Sequence, residues 1–152
     1  MTGLINIPSA SLRNLTDLPV LMFYGTKAGS TYAIPSSNVK QSCNPEYFEY
    51  DPTTRQFLCK KSFKGNIYVL STGNMNAAGS DNVICYCRWQ LYVNDSQYQN
   101  TGTSNSGARY NTYNNVSFAA GGATYIQGYC YSTAANKKSG TGDFLYIVTL
   151  AQ

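Results

Sequence analysis

The chain has 152 residues, of which 43% are hydrophobic and 14% aromatic, and its formal net charge is +4 at pH 7. This length fits one core of ordinary size, and so many aromatic side chains exclude a disordered chain. Histidine is absent, which removes the usual general base, the Ser-His and Cys-His nucleophile pairs and the commonest transition-metal ligand. We therefore expect no catalytic residue, no bound metal and no cofactor.

The 11 basic residues are scattered, and Lys60-Lys61 and Lys137-Lys138 are the only adjacent pairs. Binding to a phosphate backbone needs many basic groups on one face, so nucleic acid is not an expected partner. No run of 18 apolar residues occurs, and the first residues lack the order of a signal peptide. A membrane span and classical secretion are therefore not expected.

Residues 1–41 are predicted to form a small separate hairpin element. Strand-like segments Leu18–Tyr24 and Thr31–Ile34 flank a turn-forming run at residues 25–30, and residues 34–40 follow as an exit turn or a short helical start. Because a two-stranded hairpin is marginal alone, it should dock on the rest of the chain, on another subunit or on a partner. The side chains expected to make that attachment are Leu18, Val20, Met22, Tyr24, Tyr32 and Ile34.

Residues 42–152 are predicted to form one all-β domain. The clearest strand is Val83–Val93, in which one face carries Cys85, Cys87 and Trp89 while tyrosine and polar side chains fill most of the other. Further short strands alternate with Gly- and Asn-rich turns, and no amphipathic helix is evident. This pattern favours an antiparallel β-sandwich, and we prefer a jelly roll. The further strands are Tyr47–Tyr50, Arg55–Cys59, Asn66–Ser71, Tyr110–Phe118, Thr124–Ser132 and Phe144–Leu150.

Five cysteines are an odd number, and their spacing matches neither a compact disulfide framework nor a zinc ribbon. A soft-metal site that joins Cys85 and Cys87 to Cys59 and Cys130 is the alternative to buried, reduced thiols. We favour the thiols, because strand spacing points the first two into the core.

The carboxylates offer two further alternatives. Glu46, Glu49 and Asp51 lie around a predicted edge strand, where an exposed acidic rim is a simpler interpretation than a hydrolase with two facing carboxyls. Asp81, Asp95 and Asp143 lie in predicted turns, where aspartate usually supports the turn rather than binding calcium. We therefore do not expect an enzyme.

Fourteen tyrosines are the unusual feature of the composition. Tyr125, Tyr129 and Tyr131 share one parity of a predicted strand, and together with Tyr146 they are the predicted trimer interface or ligand face. Ordinary packing of tyrosine on a sheet surface remains the alternative. A loop surface that binds a host glycan or protein is predicted at Tyr98, Tyr110 and Tyr113.

Four segments of the predicted domain follow one another along the chain: Phe63–Leu70, Leu91–Asp95, Val116–Ile126 and Phe144–Leu150. Their order resembles that of the C1q/TNF-like jelly roll. In that family a Gly-x-Tyr strand, a strand ending in an Asn-bearing turn, an apolar strand before a Gly-Asp turn and a closing aromatic strand follow one another. The resemblance spans roughly residues 43–150 and implies fold more than function. The chain departs from the pattern at residues 121–123, where Gly-Gly-Ala stands in place of Gly-Asp.

The segment Leu15–Val20, followed by Gly29–Val39, resembles the N-terminal hairpin module of phage fibre and tail-spike proteins. Together the two resemblances imply a virion structural protein of the head-fibre, decoration or tail-fibre type. Such a protein is a homotrimer that joins capsid or tail proteins through its N-terminal part, exposes its head for possible host attachment, and assembles in the host cytoplasm. A carbohydrate-binding, lectin-like module is the alternative function.

Overall fold

The computed structural model describes residues 18–74, 85–100, 108–132 and 140–152. These residues form ten β-strands, and none of them belongs to a helix long and apolar enough to cross a membrane. The strands are β1 (Pro19–Ala28), β2 (Ser37–Cys43), β3 (Phe48–Asp51), β4 (Gln56–Cys59), β5 (Phe63–Asn74), β6 (Cys85–Val93), β7 (Ser96–Asn100), β8 (Ala108–Phe118), β9 (Ala123–Ser132) and β10 (Thr141–Leu150).

The strands form two five-stranded antiparallel sheets. The first sheet has the order β2-β1-β10-β5-β8 and the second has the order β3-β4-β9-β6-β7. Along the chain the strands pass repeatedly from one sheet to the other, so neighbours within a sheet are mostly distant in sequence. This is a jelly-roll β-sandwich, and it confirms the predicted fold class.

The core lies between the sheets and follows from period-two alternation. On β6 the side chains of Cys87, Trp89 and Leu91 are fully buried, as predicted, while the side chain of Cys85 lies outside the description. At one end of the core, Phe48 makes edge-to-face contacts with three other phenylalanines at centroid distances of 5.6 to 6.3 Å. These contacts hold the two sheets together.

The N-terminal strands differ from the predicted hairpin. The structure pairs β1 with β10 from Pro19 opposite Thr149 to Ala28 opposite Thr141, so β1 is an inner strand of the first sheet. The second arm of the hairpin is β2 rather than the predicted segment 31–34, which contributes one isolated bridge from Ala33 to Gly128. Residues 18–41 are thus part of the sandwich, and the predicted boundary after residue 41 falls inside β2. Residues 1–17 lie outside the described part.

Two strands were missed for the same physical reason. β2 and β7 are edge strands whose side chains are mostly exposed, so neither carries the alternation that marks a half-buried strand. The exit turn or helical start predicted at residues 34–40 is therefore wrong from Ser37 onward, where β2 begins. β6 and β7 are joined by a tight turn at Asn94 and Asp95, both with positive φ, of 54° and 66°.

Candidate functional site

The outer face of the first sheet carries a contiguous strip of apolar side chains, which we call the apolar face. Two rows of residues run across the strands, because the register aligns side chains of the same parity. The first row joins β1, β10 and β5, and the second also includes β8. The apolar face consists of Met22, Ile147 and Tyr68 in the first row and Tyr24, Leu145, Leu70 and Tyr110 in the second.

These side chains are clearly more exposed than the side chains of the core. Met22 is 39% exposed and Tyr110 is 65% exposed, while the others are intermediate. Among the described residues, neither row carries a charged side chain on β1, β10 or β5. Apolar patches of this kind on a folded domain mark interaction sites.

One carboxylate borders the apolar face. Asp143 is opposite both Thr26 and Thr72, and its Oδ1 accepts a hydrogen bond of 2.8 Å from the Thr26 hydroxyl. A depression of about 210 Å³ lies between Asp143 and the second row, and Tyr24, Leu70 and Leu145 line it together with Asp143. The face therefore offers a concave apolar surface bordered by Asp143 and, at the β2 edge, by Lys40, which lies opposite Tyr24.

The outer face of the second sheet is different, and we call it the tyrosine face. It is built by β6 and β9, whose outward residues are paired directly across the two strands. The predicted parity is confirmed, since the alternate residues of β9, Thr124, Ile126 and Cys130, are buried. The four cross-strand pairs of the tyrosine face are Tyr86 with Tyr131, Arg88 with Tyr129, Gln90 with Gln127 and Tyr92 with Tyr125.

The rings of the tyrosine face pack on one another. Tyr92 and Tyr125 stack with centroids 4.5 Å apart and planes 9° apart. Tyr129 contacts the ring of Tyr32 at 5.0 Å and also lies under the Arg88 guanidinium, at 5.6 Å. Partial burial in this stack, reinforced by the neighbouring Tyr92 and Asp95, raises the pKa of Tyr125. The rings of this face are thus partly covered within the chain, apart from that of Tyr131, which is 48% exposed.

Tyr146 does not belong to the tyrosine face, which corrects its predicted place in an interface or ligand face. Its side chain points into the core and is fully buried, because Phe144, Tyr146 and Val148 form the inward parity of β10. The Thr124 hydroxyl donates to the Tyr92 carbonyl, at 2.6 Å, so the Tyr146 hydroxyl donates to Thr124 Oγ1, also at 2.6 Å. Burial raises the pKa of Tyr146 far above its usual value.

The three tyrosines predicted to form one loop surface lie in two places. Tyr98 on β7 contacts Tyr113 on β8 edge to face at 5.8 Å, and Tyr113 in turn packs on the buried Trp89. Tyr110 instead lies on the apolar face, stacked with Tyr68 at 6.0 Å. Residues 101–107, the centre of the predicted loop, lie outside the described part.

The six predicted attachment residues are also divided. Val20 and Ile34 are buried in the core, so their side chains are not available to a partner. Tyr32 packs on the tyrosine face. Met22 and Tyr24 belong to the apolar face, and Leu18 precedes β1 with 58% of its surface exposed. Two residues of the apolar face were thus named from the sequence, but for attachment to a particle, and their neighbours on β5 and β10 were missed.

The acidic rim lies around β3, an edge strand, as predicted: Glu49 and Asp51 are on the strand and Glu46 precedes it. Glu46, Glu49 and Asp51 are exposed there, and Glu46 forms an ion pair of 2.6 Å with Lys61. Hydrogen bonds from the Thr53 backbone N–H and the Thr54 hydroxyl lower the pKa of Asp51. Asp51 therefore stabilises the turn that follows β3. Among the described residues, no group of three or more Cys, Asp or Glu side chains is placed to hold a metal ion.

No protein-family model and no curated protein matches the chain. Among solved structures, the chain is similar to a crystal structure of pika GITRL, with 14% sequence identity, a TM-score of 0.33, and coverage of 82% of this chain and 95% of that chain. The assignment of the jelly roll rests on the strand order of the chain itself.

Proposed function

We propose that the chain is a non-enzymatic structural protein of a virus particle, of the head-fibre, decoration or tail-fibre type, with a trimeric jelly-roll head. The observation that carries the proposal is the apolar face, which spans four strands of one sheet and is uncharged across its centre. An isolated chain would leave this face exposed to water, whereas association with copies of the same chain would bury it. Closed rotational symmetry lets every copy bury the same surface.

The number of copies and the particle come from the sequence resemblances. The C1q/TNF-like order of segments and the fibre-like N-terminal segment both favour a trimer that stands on a particle. With the apolar face turned to the three-fold axis, the tyrosine face on the opposite side of the sandwich points outward. That geometry supports contact with a host surface through the tyrosine face rather than through Tyr110, which lies on the apolar face.

Attachment to the particle is assigned to the N-terminal part, and the structure changes how this should be tested. Truncation near residue 41 would remove β1 from between β2 and β10 and would destroy the first sheet. Deletion of residues 1–17 instead leaves every described strand intact. The full chain and the chain beginning at Leu18 therefore form the matched pair for experiments.

The test measures the mass in solution and the incorporation into virus particles of both forms. We expect both to have the mass of three chains at micromolar concentration, and only the full chain to purify with particles. A full chain that stays a stable monomer and has no affinity for particles would contradict the proposal.

A further inference from the structure

We infer that Cys87 and Cys130 form an intrachain disulfide under oxidising conditions. The two residues are directly opposite each other on β6 and β9, neither of which is an edge strand. Their Sγ atoms lie 3.3 Å apart, and both side chains are buried. Two sulfur atoms held in this way need only a small approach to reach the bonded distance of about 2 Å.

The backbone hydrogen bonds show that the site has the geometry of a cross-strand disulfide. The N–H of Cys130 donates to the Gly29 carbonyl at 3.0 Å, and the N–H of Gly128 donates to the Ala33 carbonyl at 2.8 Å. These N–H groups of β9 thus point away from β6. Cys87 and Cys130 are therefore a non-hydrogen-bonded pair of the β6–β9 ladder, in which Cα atoms are about 4.5 Å apart. That separation lies within the range of disulfides, about 4.4 to 6.8 Å.

The opposite sheet leaves space for the sulfur atoms. Gly142 of β10 lies over the pair, and a Cβ at this position would overlap Cys87 Sγ and lie 3.0 Å from Cys130 Sγ. The Cys87 thiol also lies 3.8 Å from the carbonyl oxygens of Thr72 and Thr141. Glycine at position 142 therefore makes room for a sulfur pair that any larger residue would displace.

The oxidant we assign is a small-molecule disulfide. One protein thiolate attacks it and releases one small thiol, which leaves a mixed disulfide. The second protein thiolate then attacks the mixed disulfide and releases the other small thiol. The reagent S–S bond breaks, the Cys87–Cys130 bond forms, and the two protons of the protein thiols end on the released thiols. Because both sulfur atoms are buried, exchange takes place as the chain folds or while the strands are open, and the closed sandwich then protects the bond.

Oxidation should stabilise the head, since the bond joins residues 43 positions apart. Constraining an unfolded loop of that size raises the midpoint of thermal unfolding by roughly 5 to 15 °C. We expect the two forms to share one fold, because the sulfur atoms need only a small approach to bond.

The test refolds the full chain in a mixture of oxidised and reduced glutathione, alkylates it under denaturing conditions and measures its mass. We expect three alkylated cysteines instead of five, a proteolytic fragment that links Cys87 to Cys130, and a midpoint that falls again on reduction. Five alkylated cysteines, or a link between any other pair, would overturn the inference. This measurement uses the natural sequence and so does not depend on the folding of a variant.

Single-cysteine substitutions then show which residues cause the rise in the unfolding midpoint. Cys87→Ala and Cys130→Ala should each abolish the rise in the midpoint. Cys43→Ala is the matched control, because that thiol is half-buried and hydrogen-bonds to the Phe48 carbonyl, away from the pair. It should keep the full response, and loss of the response in this control would also overturn the inference.

Discussion

The apolar face and the tyrosine face are outer faces of the same sandwich, and both arise from period-two alternation along their strands. They differ in how their side chains are already partnered. On the tyrosine face Tyr92 and Tyr125 stack at 4.5 Å, whereas on the apolar face Met22 remains 39% exposed. A count of aromatic residues or of ring contacts does not identify an interface, since Tyr131 beside Tyr86 is 48% exposed and Tyr110 beside Tyr68 is 65% exposed. The two faces are distinguished by the aliphatic side chains of the one and the glutamine and arginine side chains of the other.

The energetic consequence follows from the area that remains in water. Burial of apolar surface contributes about 25 cal/mol per Å², so the larger gain on assembly belongs to the face with more uncovered aliphatic surface. The tyrosine face instead carries hydrogen-bonding groups that favour water or a polar partner. These groups are the tyrosine hydroxyls and the side chains of Gln90, Gln127 and Arg88. This difference favours the apolar face as the assembly surface of the proposed trimer and the tyrosine face as its outward surface.

The largest expected effect comes from a charge on the apolar face. Leu145→Asp places a carboxylate in the centre of the second row, where assembly would bury it without a partner. We expect the assembly to weaken by about 100-fold or more and the chain to become a monomer at micromolar concentration. Sedimentation velocity measures this change. Gln127→Asp on the tyrosine face is the control and should keep the wild-type mass; the opposite pattern would reverse the roles of the two faces.

A substitution at Tyr146, the residue after Leu145, separates an effect on the stability of the fold from an effect on assembly. Tyr146→Phe removes a buried hydroxyl that donates to Thr124, so we expect a loss of about 1 to 2 kcal/mol in the free energy of unfolding. Urea unfolding measures this loss. The mass in solution should not change, because Tyr146 lies inside the sandwich. A monomeric Tyr146→Phe variant that is as stable as wild type would place this residue at the interface after all.

The smallest expected effect tests the self-packing of the tyrosine face. A double-mutant cycle of Tyr92→Ala and Tyr125→Ala should show a coupling of about 0.5 to 1.5 kcal/mol in the free energy of unfolding, as measured for stacked rings. A cycle of Tyr92→Ala and Tyr131→Ala is the control. Because these two residues lie in different cross-strand pairs, the effects of the two substitutions should be additive. Additivity in the first cycle would mean that the stacked rings do not stabilise each other.

The fold could be predicted from the sequence where one face of a strand is buried. β6, the described part of the predicted strand Val83–Val93, and β10 show clean alternation, because each packs on the core. The edge strands β2 and β7 could not be found in this way, since their side chains face water on most sides. The place of β1 between β2 and β10 depends on pairing with residues more than 100 positions away, which local patterns do not report.

The candidate surfaces were predictable only within single strands. The parity of Tyr125, Tyr129 and Tyr131 was right, because alternation fixes which side of a strand a residue occupies. The apolar face was missed, because it combines residues from β1, β5, β8 and β10 that meet only through the register of the sheet. Tyr146 was assigned by residue type, although its parity on β10 already matched that of Phe144 and Val148.

Hydroxyl-radical footprinting of the full chain at low and high protein concentration tests the central claim most directly. Mass spectrometry would follow the oxidation of Met22 and Tyr110 on the apolar face and of Tyr131, 48% exposed, on the tyrosine face. We expect protection of Met22 and Tyr110 to rise with concentration, together with the appearance of the trimer, while Tyr131 remains reactive. Protection of Tyr131 with Met22 and Tyr110 left reactive would contradict assembly through the apolar face.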